Sequence, residues 1–104
     1  MSAQRGAVRL EWAPAALADL LEILAYIAAD SPQAAADLQT SVQRRAARLE
    51  QFPHSGRIGR VAGTRELVLT PYILVYILEH DAAIIVRMLH GSRLWPVQSE
   101  PESR

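Results

Sequence analysis

Seven consecutive residues, Tyr72-Ile73-Leu74-Val75-Tyr76-Ile77-Leu78, are aliphatic or aromatic at every position. A run this short, bounded by Pro71 on one side and Glu79-His80-Asp81 on the other, reads as a strand covered on both faces. Such a strand belongs in the middle of a sheet, so the chain must supply its neighbours. Thr64 to Leu69 places Arg65, Leu67 and Leu69 on one side and Glu66, Val68 and Thr70 on the other. Ala83 to His90 sends Ile84, Val86, Met88 and His90 one way and Ile85, Arg87 and Leu89 the other. Near the start, Val8-Arg9-Leu10-Glu11-Trp12 alternates apolar and charged residues, the period of a half-buried strand.

Between the first strand and the rest lie two helical repeats. Pro14 opens the first, where a missing N–H does no harm, and Leu17, Leu20, Leu21, Leu24 and Ile27 recur at three and four. Asp30-Ser31-Pro32 ends it and caps a second helix, whose stripe is Ala35, Leu38, Val42, Ala46 and Leu49 and which stops at Phe52-Pro53. Helices joined by about two residues lie antiparallel as a hairpin. His54 to Gly63, with three glycines and two arginines and no apolar period, reads as a loop.

The order is β-α-α-β-β-β. It predicts an α+β fold of two layers, a helix hairpin packed on one face of a small, mainly antiparallel sheet. With 104 residues there is one core, expected over residues 1–96, followed by a polar tail at 97–104. Nothing is left over to cover the second sheet face, so either Tyr72/Leu74/Tyr76/Leu78 or Ile73/Val75/Ile77 is expected to lie bare for a macromolecular partner.

Charge narrows the possible partners. Eleven arginines balance eleven acids, so the whole chain has no pull on nucleic acid. The balance is uneven along the sequence. Leu10 to Asp37 holds five acids and no base, while Leu38 to Arg65 holds six arginines against Glu50 alone. That pattern predicts a basic face for an anionic partner, unless the acidic helix simply neutralises the basic one. There is no lysine, so any anion must be held by guanidinium groups. No cysteine is present, which removes disulfides and thiolate chemistry. No apolar run approaches the roughly 20 residues of a membrane span, and Met1 to Gly6 leads into nothing like a secretory segment. A cytoplasmic protein without membrane contact is expected.

Conventional sites are missing. His54, His80 and His90 are scattered, and neither a nucleophile-elbow serine, a metal-spaced histidine pair nor a P-loop occurs, so no cofactor or metal is called for. Arginine with histidine remains. Arg57 and Arg60 on the loop, Arg65 on the next strand, and Arg87 and His90 on the last one form a set that would converge if those strands are neighbours. Cleaving RNA needs a group to take the 2′-OH proton, another to protonate the leaving oxygen, and cations for the phosphate. His90 can titrate near neutrality and Glu66 is a second acid–base candidate. Trp95 offers a ring for base stacking. Each has a plainer reading: His90 bonded to backbone, Arg87 ion-paired, Trp95 packed on the sheet edge.

The arrangement Trp12…Asp19-Leu20…Tyr26, Gly56-Arg57, Gly63-Thr64-Arg65-Glu66-Leu67, Pro71-Tyr72 and Arg87-Met88-Leu89-His90-Gly91…Arg93…Trp95-Pro96 resembles the RelE/ParE superfamily of type II toxins, in its RelE/StbE-like branch. The resemblance runs from Val8 to Pro96. It implies a growth-inhibiting toxin held by a cognate antitoxin, with operator DNA contacted only through that antitoxin. It also implies one of two mechanisms. RelE-like members act on the ribosome as metal-independent mRNA endoribonucleases, whereas ParE-like members poison DNA gyrase without being nucleases. A silent antitoxin-binding partner is a third outcome. Carried over residue by residue, the nuclease pattern makes Arg65, Arg87 and His90 catalytic and Arg57, Arg60, Arg93 and Trp95 the phosphate and RNA contacts. The lysines of the best-studied branch and its C-terminal tyrosine have no counterpart here.

Overall fold

The structure, a computed structural model, describes residues 7–91. Strand β1 (Arg9–Trp12) leads into helix α1 (Pro14–Asp30) and helix α2 (Pro32–Ala47), and a short 3-10 turn (Arg48–Glu50) follows. Strands β2 (Arg57–Ile58), β3 (Arg65–Leu69), β4 (Tyr72–Glu79) and β5 (Ala82–His90) complete the chain. The sheet order is β1-β5-β4-β3-β2, all antiparallel except β1 against β5. The expected two-layer α+β architecture is what forms. Among the described residues, no helix is long and apolar enough to cross a membrane.

A single residue turns the hairpin. The Ser31 N–H closes α1 on the Ile27 carbonyl while its Oγ accepts the Ala34 N–H at 3.0 Å, so one serine ends one helix and caps the next. The hairpin buries Ala16, Leu20, Val42 and Ala46 against Leu67, Leu74, Tyr76 and Ile85 of the sheet. At roughly 25 cal/mol per Å² of apolar surface removed from water, this face is the main stabilising layer.

Three expectations need correction. The glycine-rich loop is not wholly irregular, because Arg57–Ile58 pairs with Glu66 and Arg65 as β2. The second sheet face is not bare: Ile73 and Leu89 are buried, and Val75 has no exposed surface. One of its neighbours across the ladder, Glu66, is roofed by the Arg57 side chain from β2. Exposed apolar side chains lie on α1 at Leu17, Leu21 and Tyr26, and also at Phe52, at Ile58 of β2 and at Val68 of β3, which is across the ladder from Ile73.

The third correction is in β5. Register runs Val75↔Arg87 and then Tyr76↔Ile85, so Val86 is an extra residue in a bulge. An unbroken alternation would have put Ile85, Arg87 and Leu89 on one side. The bulge instead puts Ala83, Ile85 and Met88 in the helix-facing core and Val86 and Leu89 in the opposite cluster.

Candidate functional site

The glycine loop is held down from two faces of the sheet. On one, Arg57 lies directly across from Glu66 and donates from Nε and Nη2 to Oε1 at 3.0 and 2.8 Å. The Arg60 N–H donates to Oε2 at 3.3 Å, and the Arg60 Nε lies 3.8 Å from the same oxygen. The Glu66 side chain is 1% exposed. A buried carboxylate is tolerated only when charge and donors surround it, and these arginines supply both.

On the other face, Arg65 donates to the carbonyls of His54 and Gly56 at 3.2 and 2.8 Å. Beside it, the fully buried Tyr76 hydroxyl donates to the Pro53 carbonyl at 2.7 Å and accepts the Gly56 N–H at 2.9 Å. Burial pushes the Tyr76 phenol above its ordinary range, with the Gly56 N–H and the Arg65 charge pulling back. Only glycine fits at position 56. A Cβ there would stand 2.7 Å from the Tyr76 ring and hydroxyl and 2.8 Å from the Glu66 carbonyl.

Arg87 lies in a third place. Its Nε and Nη2 donate to the Asp19 carboxylate of α1 at 2.6 and 3.1 Å, and the Met88 N–H donates to the same group at 2.9 Å. β1 pairs with β5 only as far as Ile85, so Asp19 satisfies an N–H on the strand side that β1 leaves free. The hydrogen bond to Asp19 holds the Arg87 guanidinium above even its usual high range.

His90, at the exposed end of β5, sits edge-on to the Tyr72 ring with centroids 5.5 Å apart. It lines a cavity of about 410 Å³ with Asp19, Glu22, Tyr26, Tyr72 and Met88. Among the described residues its charged lining is Glu22 and Asp19, the latter paired with Arg87.

The expected gathering of Arg57, Arg60, Arg65, Arg87 and His90 into one electropositive hollow does not occur. Arg65 lies opposite Tyr76 and His90 opposite Tyr72, on the two sides of β4. Four residues along a strand are about 13 Å and two strand spacings about 10 Å, so their backbones stand roughly 16 Å apart. Arg57 and Arg60 turn to Glu66 on the opposite sheet face, and Glu66 is their anchor rather than a free acid–base group. Arg93 and Trp95 lie outside the described residues. His80 sits in the β4–β5 turn with φ of 51°, a conformational position rather than a chemical one. Among the described residues no three acid or histidine side chains gather into a metal-binding group.

Sequence reasoning passed over Asp19 and Tyr76. The signal for Asp19 was Arg87 itself, a charge set between Val86 and Met88 in a strand that needs an acid from the helix packed on it. Tyr76 carried no comparable signal, since its partners are backbone atoms of a distant loop.

Comparison with known proteins gives a consistent picture. Residues 10–95 match the family described as the ParE toxin of type II toxin-antitoxin system, parDE. A protein of Sinorhizobium fredii described as putative toxin Y4kP is 41% identical over 90 residues, covering 85% of this chain and 93% of its own. Toxin RelE2 of Caulobacter vibrioides is 38% identical over 84 residues, covering 80% and 94%. Among solved structures, the chromosomal ParDE system of P. aeruginosa superposes with a TM-score of 0.72 at 24% identity, covering 82% of this chain and 97% of that one. A chain of the RelBE2 toxin-antitoxin complex of Mycobacterium tuberculosis gives 0.59 at 22% identity, covering 81% and 98%.

Proposed function

Because the chain belongs to the ParE toxin family of type II toxin-antitoxin systems, within the RelE/ParE superfamily, we propose that it arrests growth by binding its target without cutting RNA, and that the target is DNA gyrase. One observation supports the first half: among the described residues, the arginines that RNA cleavage would call on already have partners within the chain. Arg57 and Arg60 neutralise Glu66, Arg87 neutralises Asp19, and Arg65 ties down the glycine loop. Each guanidinium is thereby fixed in place, and turning it wholly onto a pentavalent phosphate would give up contacts that hold the loop or the helix to the sheet. The choice of gyrase follows the ParE-like side of the superfamily, whose members act on that enzyme without bond-breaking chemistry.

In this reading the exposed apolar stripe of α1, Leu17 and Leu21, is the surface for a cognate antitoxin. RNA cleavage on the ribosome keeps one observation in its favour, the exposed His90 imidazole on Tyr72, but no arginine of the loop or of β3 is near it. The test is gyrase supercoiling of relaxed plasmid with increasing amounts of the purified chain. Saturating inhibition near one chain per gyrase subunit is expected. Full supercoiling at a large excess of the chain overturns the target assignment.

A further inference from the structure

We infer that the groove between α2 and the free side of β3 binds the phosphate backbone of a nucleic acid, without reading its sequence. Arg44 and Arg45 line two adjoining cavities there, of about 280 and 460 Å³. Ser41 and Thr70 add hydroxyls to one; Arg48 and Ser55 add a third guanidinium and a hydroxyl to the other. All three arginines are exposed, and among the described residues none is ion-paired with a carboxylate. Of the other described arginines only Arg65 also lacks an acid partner, and it donates to two loop carbonyls. Arg9, Arg57, Arg60 and Arg87 each have an acid partner, whereas this cluster has only the Val68 carbonyl under Arg45 at 3.3 Å and the Phe52 ring under Arg48 at 5.3 Å. The acidic helix α1 therefore does not neutralise the basic end of α2.

The helix dipole favours bases in a last turn, and that accounts for some of the cluster. It does not account for three guanidinium groups set beside hydroxyl-lined cavities. Arg44 and Arg48 are one turn apart, about 6 Å along the axis, which suits two phosphates of one strand. Guanidinium and hydroxyl donors are the usual phosphate contacts of nucleic-acid-binding proteins. An acidic peptide fits less well, because it needs apolar anchors and a strand edge. Leu67 and Leu69 are 5% and 9% exposed, their surface already taken by the core, which leaves Val68 as the exposed apolar side chain of β3 at this groove. Arg45 also caps the outward carbonyl of β3, which blocks strand addition. The inference does not depend on which enzyme is the toxin's target.

The test is fluorescence anisotropy of the full chain with a labelled mixed-sequence DNA duplex across a salt series, with poly-glutamate as competitor. Replacing Arg44, Arg45 and Arg48 by Gln should lower the log–log salt slope by about 2.7 and weaken binding by on the order of a hundredfold near physiological salt. R44Q/R48Q, which keeps the Arg45 bond to Val68, should lose about 1.8 of that slope. Arg9→Gln should change nothing. The inference is overturned if the wild-type chain does not bind the duplex, if either Gln variant binds like wild type while its circular dichroism melt is unchanged, or if poly-glutamate competes as well per charge as unlabelled DNA.

Discussion

Replacing Asp19 with alanine tests whether the arginines of this fold serve structure. The Asp19 side chain is 15% exposed and that of Arg87 32%. Truncating the acid leaves the Met88 N–H on the free side of β5 without its acceptor, at about 1–3 kcal/mol. It also leaves the guanidinium unpaired. A fully buried pair broken this way costs about 3–5 kcal/mol, but with a third of the Arg87 side chain in water screening reduces this to about 1–2 kcal/mol. The sum is roughly 2–5 kcal/mol, or a melting temperature lower by about 10–25 °C for a domain of this size. Arg87→Met leaves the more buried Asp19 carboxylate with the Met88 N–H alone, so it should lose a similar amount, about 2–4 kcal/mol. Thermal melts followed by circular dichroism give both numbers, and growth arrest on induction at low temperature gives the functional side. Arg87→Met should remain toxic wherever it is folded. A variant that melts like wild type but has lost all toxicity would show the opposite, that Arg87 serves the target and not the fold.

Tyr76→Phe leaves the Gly56 N–H and Pro53 carbonyl without their partner and should cost about 1–3 kcal/mol in denaturant unfolding. The same residue sets an alkaline limit. Its folded pKa is raised above the ordinary 10.0, so its contribution is whole below pH 10 and falls away as the pH climbs through the raised value. Stability measured from neutral to strongly alkaline pH should show that decline in the wild type and a shallower one in Tyr76→Phe. Glu66→Gln should free Arg57 and Arg60, destabilise the fold by about 2 kcal/mol, and speed tryptic cleavage after those two arginines. Cleavage at the wild-type rate would show that the loop is held by Tyr76 and Arg65 alone.

The architecture was legible because its signals are local. The double-faced run at β4, the Pro14 and Pro32 helix starts and the Ser31 cap each depend on neighbours within a few residues. What escaped were long-range matters. The bulge at Val86 inverts the facing of β5 beyond it, and nothing in Ile84-Ile85-Val86-Arg87-Met88 distinguishes a bulged strand from a regular one. Strand β2 is two residues long and owes its conformation to Glu66, an acid contributed from across the ladder. The candidate site suffered most. A list of arginines says where cations occur in the chain; which carboxylate each one meets is decided by register and by which side of the helix hairpin faces down. Segregated charge suggested one basic hollow, but Glu66 and Asp19 engage arginines far apart in space, and the unpaired cluster is on α2.

On the proposed function, growth stops without any bond in RNA being broken. The most direct measurement of this is a genome-wide map of mRNA 5′ ends before and shortly after induction of the wild-type chain. No new ends are expected in translated regions, with DNA breaks and an SOS response in the same cells. New ends phased with codons, lost in His90→Ala or Arg65→Ala while the fold is kept, would contradict that function.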